Sequence, residues 1–157
     1  MQHKFTRTEL IIGPQGLAKL TAAKVIVFGV GGVGSFVVEA LARAGIGELI
    51  LVDYDDICLT NINRQLHALH STVGQAKVEV MRQRLHDINP DLKVTAIKEF
   101  YGPEQADRLL TSDLTYVVDA IDSVSSKVSL VVECKARGIP IIASMGAGNK
   151  LHPIAFR

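Results

Sequence analysis

The sequence predicts an α/β protein built on a doubly wound, mainly parallel, Rossmann-like sheet. Three observations predict it. Short apolar runs rich in Val and Ile alternate along the chain with amphipathic stretches of helical period. A glycine-rich turn follows the first of these runs and opens a helix. Asp53, Asp119 and Asp122 close apolar runs, so a parallel sheet would gather them with the glycine turn at the carboxyl edge, where such sheets bind ligands.

The elements follow in order. "GLAKLTAA" (16–23) reads as a short amphipathic helix, with 1–15 ahead of it as an N-terminal arm. "KVIVFG" (24–29) is the first strand, and "SFVVEALARAG" (35–45) is a helix stopped at Gly45 and Gly47, since glycine accepts the left-handed cap. "ELILVD" (48–53) is the second strand. "QAKVEVMRQRLHDIN" (75–89) places Val78, Met81, Leu85 and Ile88 on one helical stripe, and Asn89-Pro90 ends it. "KVTAIKEF" (93–100) is the third strand, and "PEQADRLL" (103–110) a short helix with Pro103 at its start. "TYVVDAID" (115–122) is the fourth strand, "SSKVSLVVECKARG" (125–138) a helix capped near Gly138, and "PIIASMG" (140–146) the fifth strand. Strands separated by helices imply right-handed parallel crossovers. "NKLHPIAFR" (149–157) begins what reads as another strand and stops within it, so a chain truncated at its C-terminus is expected.

Composition narrows the class. A chain of 157 residues fits one domain, 1–157, and is long enough to bury a core. Its 48% hydrophobic content and mean hydropathy of +0.25 suit a sheet covered on both faces. No apolar run reaches the roughly 18 residues of a membrane span, and the N-terminus does not read as a signal peptide. Cys58 and Cys134 lie far apart and form no CxxC pair, which argues against structural zinc and suits a cytoplasmic location. A net charge of +1 does not announce a nucleic-acid binder.

Chemistry concentrates in two stretches. In "VIVFGVGGVGS" (25–35), Gly29, Gly31 and Gly34 match GxGxxG between a strand and a helix, with Gly32 in the same loop. Gly29 permits the turn, Gly31 lets backbone amides approach a phosphate, and Gly34 allows close packing beside the helix N-terminus. Asp53, 19 residues past Gly34, is placed to accept hydrogen bonds from ribose hydroxyls. The bland alternative is a glycine-rich packing turn without a ligand.

The second stretch, "DYDDICLTNINRQ" (53–65), is crowded in a way a dehydrogenase does not need. Arg64 offers a planar fork for phosphate oxygens, Asn61 and Gln65 neutral donors, and Lys77 a point charge. Lys77 falls in the first turn of its helix, where the macrodipole disfavours a cation; it either points to solvent or joins Arg64 in clamping a triphosphate. Asp122 can hold the accompanying magnesium, and Asp119 could do the same or cap local amides. The pattern reads as ATP with Mg2+.

"GVGGVGS", "VDYDDICLTNINRQ", "STVGQAKVEVMRQRLHDINP" and "VVDAIDS" together resemble the ubiquitin-activating and sulfur-carrier-adenylating superfamily of ThiF-type domains, over nearly the whole chain. Within it, "FTRTELIIG", "NRQLHALHSTVG" and "ASMGAGNK" look most like the tRNA threonylcarbamoyladenosine dehydratase branch. The resemblance implies ribose contact by Asp53 and phosphate contacts by Asn61, Arg64, Gln65 and Lys77. Asp55 belongs to the same nucleotide motif through its D-x-D pattern. The resemblance also implies magnesium at Asp122 and a homodimer whose partner supplies an arginine, Arg7. It implies carboxylate adenylation, in this branch on the threonylcarbamoyl group at adenosine 37 of tRNA. Two alternatives stand beside it: adenylation of the C-terminal glycine of a ubiquitin-like sulfur carrier, and a non-catalytic dinucleotide-binding module.

Other residues read more plainly. His67 and His70, spaced i, i+3, could ligate metal but are more simply surface or packing residues. Cys134 sits in the apolar stripe of its helix, and Cys58 lies in the site loop with no evident base to activate it. The cations of "MRQRLH" read as a solvated helix face.

Overall fold

The computed structural model describes residues 2–146, so the further strand expected in 149–157 lies outside the described residues. Five parallel strands, β1 Lys24–Phe28, β2 Glu48–Val52, β3 Lys93–Ile97, β4 Tyr116–Asp119 and β5 Ile141–Ala143, form one sheet in the order β3-β2-β1-β4-β5. The order reverses direction at β1. One half of the chain therefore builds outward on one side of β1, and the other half on the opposite side.

Residues alternate along β1 between two cores. Val25 and Val27 join Val38, Ala42, Leu49, Leu51, Val78, Met81 and Leu85 on one face, beneath α2 (Gly34–Ala44) and α3 (Lys77–Ile88). Ile26 and Phe28 join Val117, Leu109, Leu130 and Cys134 on the other, beneath α4 (Ala106–Leu109) and α5 (Val124–Arg137). Val78, Met81 and Leu85 are fully buried, as the helical stripe required. Each such side chain contributes roughly 1.5–3 kcal/mol by leaving water.

Helix ends fall where backbone chemistry puts them. Gly45 and Gly138 close α2 and α5 in the left-handed conformation, at φ 101° and 68°. The "PEQADRLL" segment is a 3-10 turn over Pro103–Gln105 that leads into α4. The cations of α3 are not merely solvated: Arg84 donates to Glu39 on α2 at 2.6 Å, and Arg82 pairs with Glu79.

The first helix is longer than the sequence suggested. Helix α1 runs Thr6–Ala22 and takes in much of the stretch read as an arm. Gly13, at φ 73° and ψ 169°, kinks it before Pro14, because proline bars the preceding residue from helical geometry. A glycine–proline pair ordinarily ends a helix; here it only bends one. Phe5 and Leu17 both lie against Gly45, and Lys4 reaches Asn89 and Asp91. Those partners follow α2 and α3, ahead of β2 and β3. The start of α1 thus sits at the amino edge of the sheet.

Candidate nucleotide-binding site

Loops from every strand end converge at the carboxyl edge around a cavity of about 740 Å3. Strand register makes this possible. Phe28 pairs with Val52 and Asp119, and Val52 with Ile97, so the residues that follow each strand emerge side by side.

The glycine loop is held by contact as well as by conformation. Gly29 has φ 84°, and a Cβ there would lie 2.5 Å from the Ala120 carbonyl oxygen. A Cβ on Gly34 would lie 1.8 Å from the Gly29 carbonyl oxygen. Neither position accepts a side chain. Gly31 and Gly32 line the cavity, and the Arg64 stem lies over Gly32. The amides of Gly31, Gly32 and Val33 donate to no protein acceptor among the described residues, which leaves them available to an anion beside the start of α2.

Asp53 is buried in the cavity wall. One carboxylate oxygen accepts the Val30 amide at 2.7 Å, the other the Asp55 amide at 2.9 Å. Each oxygen keeps lone-pair capacity, so the carboxylate shapes the loop and can still receive hydroxyl donors.

Lys77 does not point to solvent. It is 5% exposed, and its ammonium donates to Asp55 at 2.6 Å on the cavity wall. An antiparallel bridge between Asp56 and Ala76 sets this pair side by side. Asn61 accepts the Cys58 amide through Oδ1 at 2.9 Å, which leaves its NH2 free to donate. Arg64 is exposed and lines the cavity, with Nη1 donating to the Thr60 carbonyl at 3.1 Å and to Asn63 at 2.9 Å. Gln65 is buried, and its Oε1 has no hydrogen-bond partner among the described residues. Its Nε2 lies beside Gly31 in the cavity lining, and that NH2, rather than the sealed Oε1, is the group able to donate to an anion.

At the end of β4 the two aspartates part ways. Asp119 is fully buried and caps the Ile121 amide at 3.0 Å, as one of its two expected roles required. Its other oxygen accepts from Lys127 at 2.7 Å, and the same ammonium donates to the Ser144 carbonyl at 2.9 Å. Sequence reasoning missed Lys127, although the signal that marked Lys77 was present: a lysine near a helix N-terminus. Asp122 is exposed on the cavity rim and makes no hydrogen bond or ion pair among the described residues. No cluster of three His, Cys, Asp or Glu residues that could hold a metal occurs among the described residues. Asp122 could offer a carboxylate to a magnesium ion, which usually takes one or two carboxylates and completes its shell with phosphates and water.

The histidines separate. His70 is exposed, whereas His67 is buried with Nε2 2.6 Å from the Val30 carbonyl oxygen, so the pair is not a metal site. Burial holds the His67 imidazole below its ordinary pKa. Cys134 belongs to the core, where burial pushes its thiol up to about 11, and Cys58 is exposed. Arg7 is exposed in the first turn of α1, at the opposite edge of the sheet and outside the cavity lining. A strand of five residues separates those edges by roughly 16 Å.

The ThiF family profile matches residues 5–156. The chain is 53% identical over 157 residues to the tRNA threonylcarbamoyladenosine dehydratase of Bacillus subtilis (strain 168), covering all of this chain and 62% of that protein. It is 51% identical over 140 residues to the Haemophilus influenzae protein of the same name, covering 89% of this chain and 54% of the relative. Among solved structures, the E. coli tRNA N6-threonylcarbamoyladenosine dehydratase in complex with ATP superposes with a TM-score of 0.93 at 43% identity, covering 96% of this chain and 62% of that one. The chain thus spans 54% to 62% of the length of these relatives.

Proposed function

The chain belongs to the ThiF family, and from that premise we propose that it is the ATP-binding part of an enzyme that adenylates a carboxylate, namely the threonylcarbamoyl group at adenosine 37 of tRNA. One observation carries this reading. Asp53, Arg64, Lys77 and Asp122, together with unengaged loop amides, face a single cavity at the switch point of the sheet. The high identity to dehydratases supports the choice of substrate.

In this reading Asp53 receives the ribose hydroxyls. The amides of Gly31 and Gly32, the Asn61 and Gln65 side chains, and the Arg64 and Lys77 cations hold the phosphates. A substrate carboxylate oxygen attacks the α-phosphorus, the bond to the bridging oxygen breaks, and pyrophosphate leaves. The negative charge gathered on phosphate oxygens is what Arg64 and Lys77 stabilise. Asp55 holds the Lys77 ammonium in place at 2.6 Å until the phosphates share it. Mg2+, held by Asp122 and the phosphates, would neutralise charge on the departing group. The carbamoyl nitrogen of the same substrate then attacks the activated acyl carbon, AMP leaves and a ring closes. Both reacting groups sit on one molecule, so this step needs little help. The sheet edges lie too far apart for Arg7 to act in its own site. A homodimer would bring it in from the partner, in a cytoplasmic enzyme.

The test uses the full-length protein with ATP and either tRNA bearing threonylcarbamoyladenosine or a ubiquitin-like sulfur carrier. Pyrophosphate release with the tRNA alone supports the proposal. Release with the carrier alone would transfer the reading to carrier adenylation, and NADH binding without ATP binding would reduce the chain to a dinucleotide-binding module.

A further inference from the structure

The backbone of one residue, Val30, ties three walls of the cavity together through its two flanking peptide units. The Val30 amide donates to Asp53 at 2.7 Å, and the Val30 carbonyl faces His67 Nε2 at 2.6 Å. A carbonyl oxygen only accepts, so Nε2 carries the proton and Nδ1 is the bare nitrogen. Nδ1 is buried and has no partner among the described residues. The backbone of His67 is itself anchored, its carbonyl accepting from Thr72 Oγ1 at 2.6 Å. A second tie runs parallel, from the Leu66 amide to Ser35 Oγ at 3.3 Å. The segment that carries Arg64 and Gln65 is thereby braced against the loop that carries the free amides and against Asp53.

We infer that His67 is a positioning residue, which holds the Val30 peptide so that the loop amides, Asp53 and the Arg64–Gln65 segment face a nucleotide in one fixed arrangement. Its effect on ATP rests on the nucleotide reading above; the brace itself does not.

The surroundings keep the ring in the form that does this. Burial holds its pKa down and the nearby Lys77 lowers it further, while the Val30 carbonyl and Asp53 oppose them. Asp55 in turn pairs with Lys77. A second proton would enter on Nδ1, beside a cation and with no acceptor to receive it. Acidification below the ordinary histidine value of 6.5, toward the lowered value of the buried ring, should therefore loosen the loop.

The test compares wild type, His67→Gln and His67→Leu by amide hydrogen exchange over residues 29–33 and by ATP affinity across pH. Glutamine places an amide nitrogen near the Nε2 position and does not titrate; leucine offers no donor. In His67→Leu, exchange in the loop and the ATP dissociation constant should each rise about tenfold, the loss of one buried hydrogen bond. His67→Gln should recover most of both and lose the weakening of ATP binding that wild type shows as pH falls below the ordinary histidine value of 6.5. Unchanged loop exchange in folded His67→Leu, or glutamine faring no better than leucine, overturns the inference. If His67→Leu does not fold, His67→Asn replaces it, since its shorter amide falls short of Val30; equal loop exchange in the Asn and Gln variants then overturns it. Wild type that binds no ATP sinks the nucleotide reading, and the exchange comparison still decides the role of His67.

Discussion

Lys127 and Asp119 form a buried ion pair at 2.7 Å, and through Ser144 the same ammonium fastens the exit of β5 to the end of β4. Removing one partner leaves the other charged and unpaired in a dry site. Lys127→Met should therefore cost about 3–5 kcal/mol of stability. Replacing both residues with apolar ones of similar volume should cost less than Lys127→Met alone. Urea denaturation of the single and double variants measures this, and a double variant weaker than the single would refute the account.

Asp53 should show two losses that separate. Its carboxylate accepts the Val30 and Asp55 amides and, in the proposed function, the ribose. Asp53→Ala leaves two amides unsatisfied, which predicts about 1–3 kcal/mol less stability together with an ATP dissociation constant about tenfold higher or more. Calorimetric titration and thermal melting read the two effects. Intact ATP affinity in a destabilised variant would confine Asp53 to shaping the loop.

Arg64→Lys should be poorly tolerated, although it keeps the charge. The guanidinium, on the cavity wall, uses Nη1 for the Thr60 carbonyl and Asn63 and keeps its other nitrogens for a phosphate. A lysine ammonium cannot do both. Pyrophosphate release should fall about tenfold or more with melting temperature nearly unchanged, because the residue is exposed.

Arg7 and Asp122 supply a complementation test in the full-length protein. Each is exposed, on opposite edges of the sheet, so Arg7→Ala and Asp122→Asn should fold normally and be nearly inactive. Mixed and allowed to exchange subunits, half the dimers should carry one intact site, and activity should return to about a quarter of wild type. Confirmed exchange with no recovered activity would mean that Arg7 either acts within its own chain or does not act at all.

Cys134 sets an alkaline limit. Its thiol is neutral in the folded core up to about 11, against an ordinary value of 9.0, so the unfolded chain loses its proton first. The resulting penalty on folding is absent below pH 9 and grows as pH rises toward 11. Cys134→Ala should flatten that part of the stability profile. In the native protein a thiol reagent near pH 8 should modify the exposed Cys58 and spare Cys134.

The parts of this fold that were legible in the sequence are those whose signal is local. Strand ends, the glycine loop and Asp53 follow from alternation and spacing within a few tens of residues, and α2, α3 and α5 from apolar stripes and cap glycines. Helix α1 was half legible, because Gly13-Pro14 reads as a stop and only the tertiary contacts of Phe5 and Lys4 show that the helix resumes on the other side. Lys127 drew no reading from the sequence, because nothing local marks a helix lysine as buried against Asp119. His67 was invisible as a brace because its partner is a backbone carbonyl 37 residues away, and a backbone carbonyl leaves no mark in a sequence. Chemistry borne by side-chain identity could be read early; geometry borne by backbone could not.

The strand order β3-β2-β1-β4-β5 has a kinetic consequence. β1, β2 and β3 follow one another with one α-helix in each connection, but β1 meets its other neighbour through Val25 and Tyr116, 91 residues apart in the chain. The slowest loop closure in folding is therefore the one that completes the centre of the sheet. Until β4 docks, the inner edge of β1 is an open, apolar template for any other strand. The cavity is lined from both sides of that seam, so a ligand bound across it recognises only the finished sheet. At a hundred times its dissociation constant such a ligand adds about 2.7 kcal/mol to the closed state. Nucleotide supplied during refolding should thus raise the yield of monodisperse protein by trapping chains that have closed the seam.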